Sequence, residues 1–380
     1  MNKRRIYTAI GGAASVSRVM PLIALLLYVC IVQSARADVL GQIEQIERLP
    51  RSQRLGAYQM ALAQKGLADV DRQALVAAFA KHARDVSPLY GRGNFGFDLQ
   101  AWRTTLQQGF EADKPDPNVA MALAQILIDS GDRAAAAPIV SAFRKAFPQH
   151  HVALAWQEWC ESGGPGARKN LPVFPLHFCV ATKNPPAQRA ATRDQCQKEV
   201  EILNKTFRTL DGTGLVRFEL KGYSNYDSVK DKAELVELLD SANTASDRIT
   251  KAFNACDDPR VRDHSAINIY IYDSKSAAGG ESDMTSHGRR NSNRPYVLID
   301  WQRLGGKVQN AQAHEMGHAF GLEHVGVPGA TARSSTNIMT SAAESFGSGG
   351  LRDLGFTPSQ SAIILYHAQR TAERLGLKRK

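Results

Sequence analysis

The first part of the chain after residue 38 carries apolar residues at three- and four-residue spacing. This spacing predicts amphipathic helices that each bury one face. Turn signals rich in proline and glycine separate the apolar runs. The predicted helices are Arg54–Gln64, Arg72–His82, Leu99–Phe110, Val119–Ile128 and Ala134–Phe147. We therefore expect an all-α domain over residues 38–165.

One stretch of this domain, residues 117–151, has small residues placed much as in a tetratricopeptide-like helical pair. Ala122, Gly131 and Ala136 occupy the positions where such a pair packs closely, and the stretch has about the repeat's length. A plain helical bundle accounts for the same pattern, so both alternatives stay open. Either one predicts a packing module, and a protein partner could bind through it.

A different pattern begins after residues 162–166, which have the composition of a linker. Alternating and continuous apolar runs predict strands there, and amphipathic helices lie between them. The predicted strands are Val173–Val180, Leu215–Gly222, Ile267–Tyr272 and Tyr296–Trp301, and the predicted helices are Gln195–Leu210, Ala233–Phe253 and Pro358–Leu375. The polar stretch 277–294 predicts a surface loop. We expect residues 166–380 to form an α+β domain.

The first 37 residues have the pattern of a secretory signal peptide. Basic residues come first, an apolar run spans Val19–Val32, and small residues surround Ala37. A membrane anchor is the alternative, but the apolar run is about 14 residues long and a span needs roughly 20. We expect cleavage after Ala37, export to the periplasm or the outside of the cell, and no stable membrane insertion afterwards.

Composition and charge limit the classes of function. The chain has 43% hydrophobic and 22% charged residues, which is typical of a globular protein. Loss of residues 1–37 removes five basic and no acidic residues, so the formal net charge falls from +10 to +5. The remaining charge predicts a weak preference for anionic surfaces or acidic polypeptides and no nucleic-acid partner.

Cysteine usage bears on the redox environment. Four cysteines remain once Cys30 is lost with the signal peptide, namely Cys160, Cys179, Cys196 and Cys256. An even number in an exported chain predicts two disulfides, and the sequence leaves all three pairings open.

The segment from His314 to His324 carries the strongest chemical signal. It has the spacing His-Glu-x-x-His-x-x-Gly-x-x-His, and all five fixed positions are present. A helix turns about 100° per residue, so His314 and His318 present their imidazoles on one face. We expect Gly321 to adopt a positive φ that ends the helix and returns the chain, so that His324 joins the other two.

These residues predict a catalytic zinc site. Three histidine ligands leave a fourth position on Zn²⁺ for water, whereas a structural site would use a fourth protein ligand. Glu315 directly follows the first ligand and can act as the general base toward that water. The predicted activity is zinc-dependent hydrolysis of peptide bonds in protein or peptide substrates.

The motif resembles the signature of the metzincin clan of zinc endopeptidases. Asn337-Ile338-Met339-Thr340 is placed like the clan's Met-turn, so the resemblance implies that Met339 packs beneath the metal site. It covers roughly residues 171–380 and implies a metzincin-like catalytic domain, with Pro295–Asp300 as a substrate-binding edge strand. Within the clan the chain is most similar to matrixin- or pappalysin-like enzymes.

Two features depart from the family pattern. Residue 341 is serine where some members have a tyrosine near the metal, and residues 38–170 carry no recognisable matrixin cysteine switch. Cys160 is a candidate latency residue, although half of a disulfide is the simpler interpretation of it. Two other functions stay open: a zinc-containing adaptor that acts through its helical module, and a hydrolase of cell-wall peptides. Glu315 argues against the adaptor, because a binding scaffold needs no general base.

Overall fold

The computed structural model divides into two compact units after Pro50. The first unit contributes one helix to the described residues, α1 (Val39–Arg48). The predicted signal peptide and its cleavage site at Ala37 lie outside the described residues, as does most of the predicted linker. The structure describes residues 39–86, 98–163, 171–232, 247–274, 286–306, 309–342 and 348–377.

Six helices follow in the first part of the second unit, within the described residues. The five helix predictions for this region are confirmed with shifted ends, and a further helix follows them. The helices are α2 (Arg51–Leu62), α3 (Asp69–Ala83), α4 (Leu99–Gln108), α5 (Pro117–Asp129), α6 (Arg133–Ala146) and α7 (His151–Ser162). Helix α5 is buried along most of its length, which makes it the centre of this helical layer.

Local capping explains where α5 and α6 begin. The Asp116 carboxylate accepts hydrogen bonds from the backbone N–H groups of Asn118 and Val119, and Pro117 occupies the first helical position. Asp132 caps α6 in the same way through the N–H of Ala135. Aspartate caps therefore set where both helices begin.

Within the described residues, five strands form the sheet: β1 (Val173–Val180), β2 (Arg217–Ser224), β3 (Ile267–Tyr272), β4 (His287–Arg289) and β5 (Tyr296–Asp300). Their order is β2-β1-β3-β5-β4. All neighbours are parallel except β4, which pairs antiparallel with β5. The mixed sheet and its surrounding helices confirm the α+β prediction.

Two predictions about this sheet are wrong. Residues 295–300 were expected to hold an edge strand, but β5 pairs on both sides, with β3 and with β4. The edge strand is β4, which lies inside the stretch predicted to be a loop. Residues 277–285 of that stretch lie outside the described residues. A polar strand of only three residues gives no periodicity that a sequence pattern can detect.

Helices cover the sheet and complete the unit. They are α8 (Pro185–Ala190), α9 (Arg193–Thr206), α10 (Tyr226–Val229), α11 (Asp247–Ala255), α12 (Ala311–Ala319) and α13 (Pro358–Arg374). The predictions for α9 and α13 are confirmed. The predicted helix 233–253 is confirmed over its last part, as α11, and residues 233–246 lie outside the described residues.

The helical layer packs directly on α13. The Trp156 indole N–H donates to the Ser359 carbonyl oxygen at 3.1 Å, and the Ser359 backbone N–H donates to the Asp129 carboxylate at 2.8 Å. An ion pair at 2.9 Å joins Arg370 to Glu158. Residues 51–163 and the sheet region therefore share one compact unit, and a domain boundary at 165/166 stays a prediction.

The four cysteines are all free thiols, so the prediction of two disulfides is wrong. Cys179 and Cys196 are fully buried in apolar packing. Burial raises the pKa of Cys196 to about 12, which keeps that thiol protonated and unreactive. Apolar packing thus accounts for these two residues. Among the described residues, no helix combines the length and apolar character that a bilayer span requires.

Candidate metal centre

Helix α12 presents the first two motif histidines from a buried position beside the sheet. It begins after Asn310, whose backbone is left-handed with φ of 46°. The Asn310 side-chain amide donates to the Arg352 carbonyl oxygen at 2.9 Å, which ties the start of the helix to a distant loop. His314 is buried, and His318 lies one turn later on the same face.

A glycine ends the helix and turns the chain back, as predicted. Gly321 has φ of +85°. Its N–H donates to the His318 carbonyl oxygen at 2.9 Å, and the Leu322 N–H donates to the Gly317 carbonyl oxygen at 3.1 Å. These two bonds form a Schellman motif, which requires a left-handed residue at the position of Gly321. The reversal brings His324 to the two helical histidines.

The three histidines converge on one point. One ligand atom from each lies within 4.8 Å of the others. The Nε2 atoms of His314 and His324 are 3.1 Å apart. The Nδ1 atoms of His314 and His318 lie 2.7 Å from the carbonyl oxygens of Ile338 and Leu322 respectively. A carbonyl oxygen can only accept, so each Nδ1 carries the proton and each Nε2 lone pair faces the shared point.

This donor set fits a zinc ion. Zn–N bonds of roughly 2.0–2.1 Å at tetrahedral angles separate two ligand nitrogens by about 3.3 Å, close to the observed Nε2 separation. Burial, and then the nearby Arg352 guanidinium, hold the pKa of His314 well below its usual range. Burial and His324 lower the pKa of His318 to about 4. Neutral imidazoles are the form that binds metal.

Glu315 faces the same cleft from α12. Its side chain is 5% exposed, and burial raises its pKa to about 7. The guanidinium groups of Arg352 and Arg303 and the backbone N–H of Gly288 act in the opposite direction, with the Gly288 N–H donating to the carboxylate. The carboxylate is therefore oriented by the edge strand β4 and held near the protonation equilibrium that proton transfer requires.

Close packing places β4 against α12. A Cβ atom at Gly288 would overlap the Glu315 carbonyl oxygen and lie 2.9 Å from the His318 Cβ. Only glycine permits this approach of the two backbones. Gly288 therefore allows the edge strand to run directly beside Glu315 and His318.

Met339 packs against helix α12, beside the two helical histidines. It is fully buried, and a Cβ atom at Gly317 would overlap its Sδ atom. Gly317 stands between the ligands His314 and His318. Because glycine has no side chain, the Met339 side chain occupies the space beside Gly317.

Hydrogen bonds from α13 fix the turn around Met339. The fully buried Asn337 side chain donates to the Gly355 carbonyl oxygen and to the Gln360 side chain, each at 2.8 Å. Its Oδ1 atom accepts from the Met339 N–H at 2.9 Å. The capping box that starts α13 at Thr357 also uses Gln360, so the turn and the helix stabilise each other.

Arg352 connects the same turn to α12. Its Nε donates to the Thr340 carbonyl oxygen at 2.7 Å, and its own carbonyl oxygen accepts from Asn310. The residue is 7% exposed and has φ of +51°, a conformation that is strained for a non-glycine residue. Burial lowers the Arg352 pKa to about 10, whereas the nearby Glu315 carboxylate acts to raise it.

The site opens into a cleft. A cavity of about 520 Å³ is lined by Glu315, His318 and His324, by the edge-strand residues His287 to Arg289, and by Arg290. A second cavity of about 430 Å³ shares His151 and the segment Gly321–His324 with the first. The helical layer thus contributes a wall to the cleft through His151 at the start of α7.

Several residues around the site carried no recognisable signal in the sequence. They reach it through chain reversal or sheet pairing: Gly288 and Arg289 from β4, Arg352 from the loop before α13, and His151 from the helical layer. The structure does not bring Cys160 into the metal-binding group of the described residues. It lies on α7, and its latency role stays a prediction.

Comparisons with known proteins give little further information. No family model matches the chain, and no curated protein matches its sequence. Among solved structures, the chain is similar to a promirolysin mutant from Tannerella forsythia, with 10% identity and a TM-score of 0.31. The similarity covers 62% of this chain and 96% of that one. At this distance the likeness establishes neither a shared fold nor a shared activity.

Proposed function

We propose that the chain is an exported zinc-dependent endopeptidase, with His314, His318 and His324 as ligands and Glu315 as general base. The observation that carries this proposal is the convergence of three histidine side chains beside a buried glutamate in an open cleft. Three nitrogen ligands with an open position are the arrangement of catalytic zinc sites.

The roles of the chain's own groups follow from their positions. Zinc bound by the histidines supplies Lewis acidity toward a water molecule and a substrate carbonyl. The Gly288 N–H aims the Glu315 carboxylate into the cleft, where it accepts the proton of the attacking water. The same group then returns the proton to the amine that leaves.

The edge strand favours a polypeptide substrate. Among the described residues, β4 has a neighbouring strand on one side only, and it lines the cleft. An extended peptide can lie along such an edge and form backbone hydrogen bonds there once the Arg289 guanidinium leaves the Gly288 carbonyl oxygen. This mode fits hydrolysis within a protein chain better than hydrolysis of a small amide.

The finer assignments belong to the same proposal. They are a metzincin-like catalytic domain over 166–380, a supporting role for Met339, removal of 1–37 on export, and a protein partner for the helical region 38–165. The motif and the packing of Met339 under Gly317 support the first two. The sequence pattern alone supports the others.

The test is digestion of an unfolded proteome by zinc-loaded residues 38–380, with new peptide termini identified by mass spectrometry. Glu315→Ala removes the proposed base, and Glu323→Ala is the matched control because Glu323 lines the same cleft but is exposed. We expect the parent chain and the control to produce a common set of termini that the Glu315 variant lacks.

Two results would contradict the proposal. Identical termini from the parent and Glu315→Ala would mean that cleavage does not use this site. An absence of termini from a chain that binds about one zinc ion would favour the adaptor function. Release of products from cell-wall peptides but not from proteins would instead select the narrower hydrolase.

A further inference from the structure

Two arginines line the cleft beside the metal ligands. Arg289 is the last residue of β4, and Arg290 follows it; both side chains are half-buried. The Cδ atom of Arg290 would lie 3.3 Å from a Cβ at Gly321, so its stem crosses the turn between the second and third ligands. The two arginines thus form part of the cleft wall, next to the place where a substrate would lie beside the histidines.

Neither guanidinium forms an ion pair with a carboxylate of the described residues. Arg289 donates from Nη1 to the carbonyl oxygen of the neighbouring Gly288 at 3.0 Å, which leaves its other N–H groups available. Arg290 acts on the pKa values of His151 and His367 through its charge. Arg289 acts on the pKa of Glu315 through its charge but forms no ion pair with that carboxylate. Both guanidinium groups therefore keep N–H donors that can bind a carboxylate of a ligand.

The other titratable groups of the cleft leave its positive charge in place. Burial lowers the pKa of His151 and of His287 to about 4, so both are neutral near pH 7. Arg303 and Arg352 lie near Glu315 and act on its pKa through their charge. Glu323 is the other carboxylate of the lining, and it is exposed, where solvent screens its charge.

We propose that the cleft binds a carboxylate of its substrate beside the metal site, held by the guanidinium groups of Arg289 and Arg290. This inference rests on the proposed function and adds the chemical class of substrate. The carboxylate belongs either to an Asp or Glu side chain next to the cleaved bond or to the C-terminus of the peptide. Both sources present the same planar group, which arginine binds in a bidentate manner.

The probes are three pools of random decapeptides. The first contains Asp and Glu and has an amidated C-terminus; the second replaces them with Asn and Gln; the third is the second with a free C-terminal carboxylate. Retention is measured on immobilised, zinc-loaded residues 38–380 carrying Glu315→Ala, so that binding is read without cleavage. Salt near physiological strength suppresses long-range attraction, because the Debye length is then about 8 Å.

We expect the first or the third pool to be retained about tenfold more than the second, which corresponds to about 1.4 kcal/mol. The pool retained identifies the source of the carboxylate. Arg289→Gln with Arg290→Gln should reduce its retention to that of the second pool. The matched control is Arg193→Gln with Arg217→Gln, which removes the same charge from exposed positions on α9 and β2, at the opposite edge of the sheet.

Three results would overturn the inference: equal retention of all pools, unchanged retention by the Arg289 and Arg290 double variant, or an equal loss in the control double variant. The last would mean that net charge and not the cleft selects the anion. These failures are distinct from failure of the proposed function. Proteome cleavage without an acidic preference would refute the inference alone, and selective retention by a chain that cleaves nothing would refute the endopeptidase alone.

Discussion

Gly317→Ala tests the packing beneath the metal site most directly. The added Cβ atom would overlap the Sδ atom of Met339 and lie 3.2 Å from its Cε atom. Met339 is fully buried, so its side chain can move only by displacing neighbouring core atoms. The preceding residue, Ile338, accepts the hydrogen bond that orients His314.

The expected magnitude has two opposing contributions. Alanine is more favourable than glycine inside a helix by about 1 kcal/mol, whereas overpacking of a buried site costs about 1–3 kcal/mol. We therefore expect Gly317→Ala to lower the free energy of unfolding by about 0–2 kcal/mol. Met339→Ala alone should lower it by about 2–5 kcal/mol, because it leaves a cavity.

The double variant gives the decisive value. With the methionine side chain shortened, the overlap is gone and only the helix preference remains. Gly317→Ala should then raise the free energy of unfolding by about 0.5–1 kcal/mol in the Met339→Ala background. Urea unfolding followed by circular dichroism, with and without zinc, measures all four chains.

A sign reversal between the two backgrounds is the expected outcome. If Gly317→Ala lowers the stability equally in both backgrounds, contact with Met339 is not what requires the glycine. The Met339 side chain would then not be the group that excludes a Cβ atom at Gly317.

Three further outcomes are expected. Burial raises the pKa of Asp129 to about 6 from 3.8. The folded state therefore binds the proton more tightly than the unfolded state, and stability falls as pH rises from about 4 to 6. Asp129→Asn should remove this slope and stabilise the folded chain by about 2–3 kcal/mol at pH 7, as measured by urea midpoints from pH 4 to 7. Asn337→Ala loses four buried hydrogen bonds and should lower the free energy of unfolding by about 2–4 kcal/mol. Asn337→Asp serves as control, since it keeps the acceptor for Met339. Zinc at 100 times its Kd should stabilise the chain by about 2.7 kcal/mol, and thermal unfolding should detect no such gain for His318→Ala.

Most helices and strands could be predicted because their signals are local. The apolar periodicity of Val119–Ile128 and the alternation of Ile267–Tyr272 reflect burial of one or both faces of a single element. The His-Glu-x-x-His-x-x-Gly-x-x-His motif could be identified from the sequence because its five fixed positions lie within 11 residues. The expected conformation of Gly321 follows from that spacing.

The remaining features depend on pairing between distant segments. The identity of the edge strand is set by which strand lies beside β5, and β4 is too short and polar to indicate this. Arg352 reaches the site through a loop held by Asn310 and Thr340, and no spacing in the sequence records those contacts. The cysteine count led to a wrong prediction of disulfides, because a count carries no information on the distances between the cysteines.

Helix α13 has a consequence for the order in which the chain can fold. It supports the helical layer through bonds between Ser359 and residues more than 200 positions earlier, and it supports the Met339 turn through Gln360. These contacts close long loops and cannot form until the C-terminal segment has been synthesised. The turn beneath the histidines therefore becomes fixed only after α13 has been synthesised. A chain that lacks α13 would lose this support for the turn beside the three histidines.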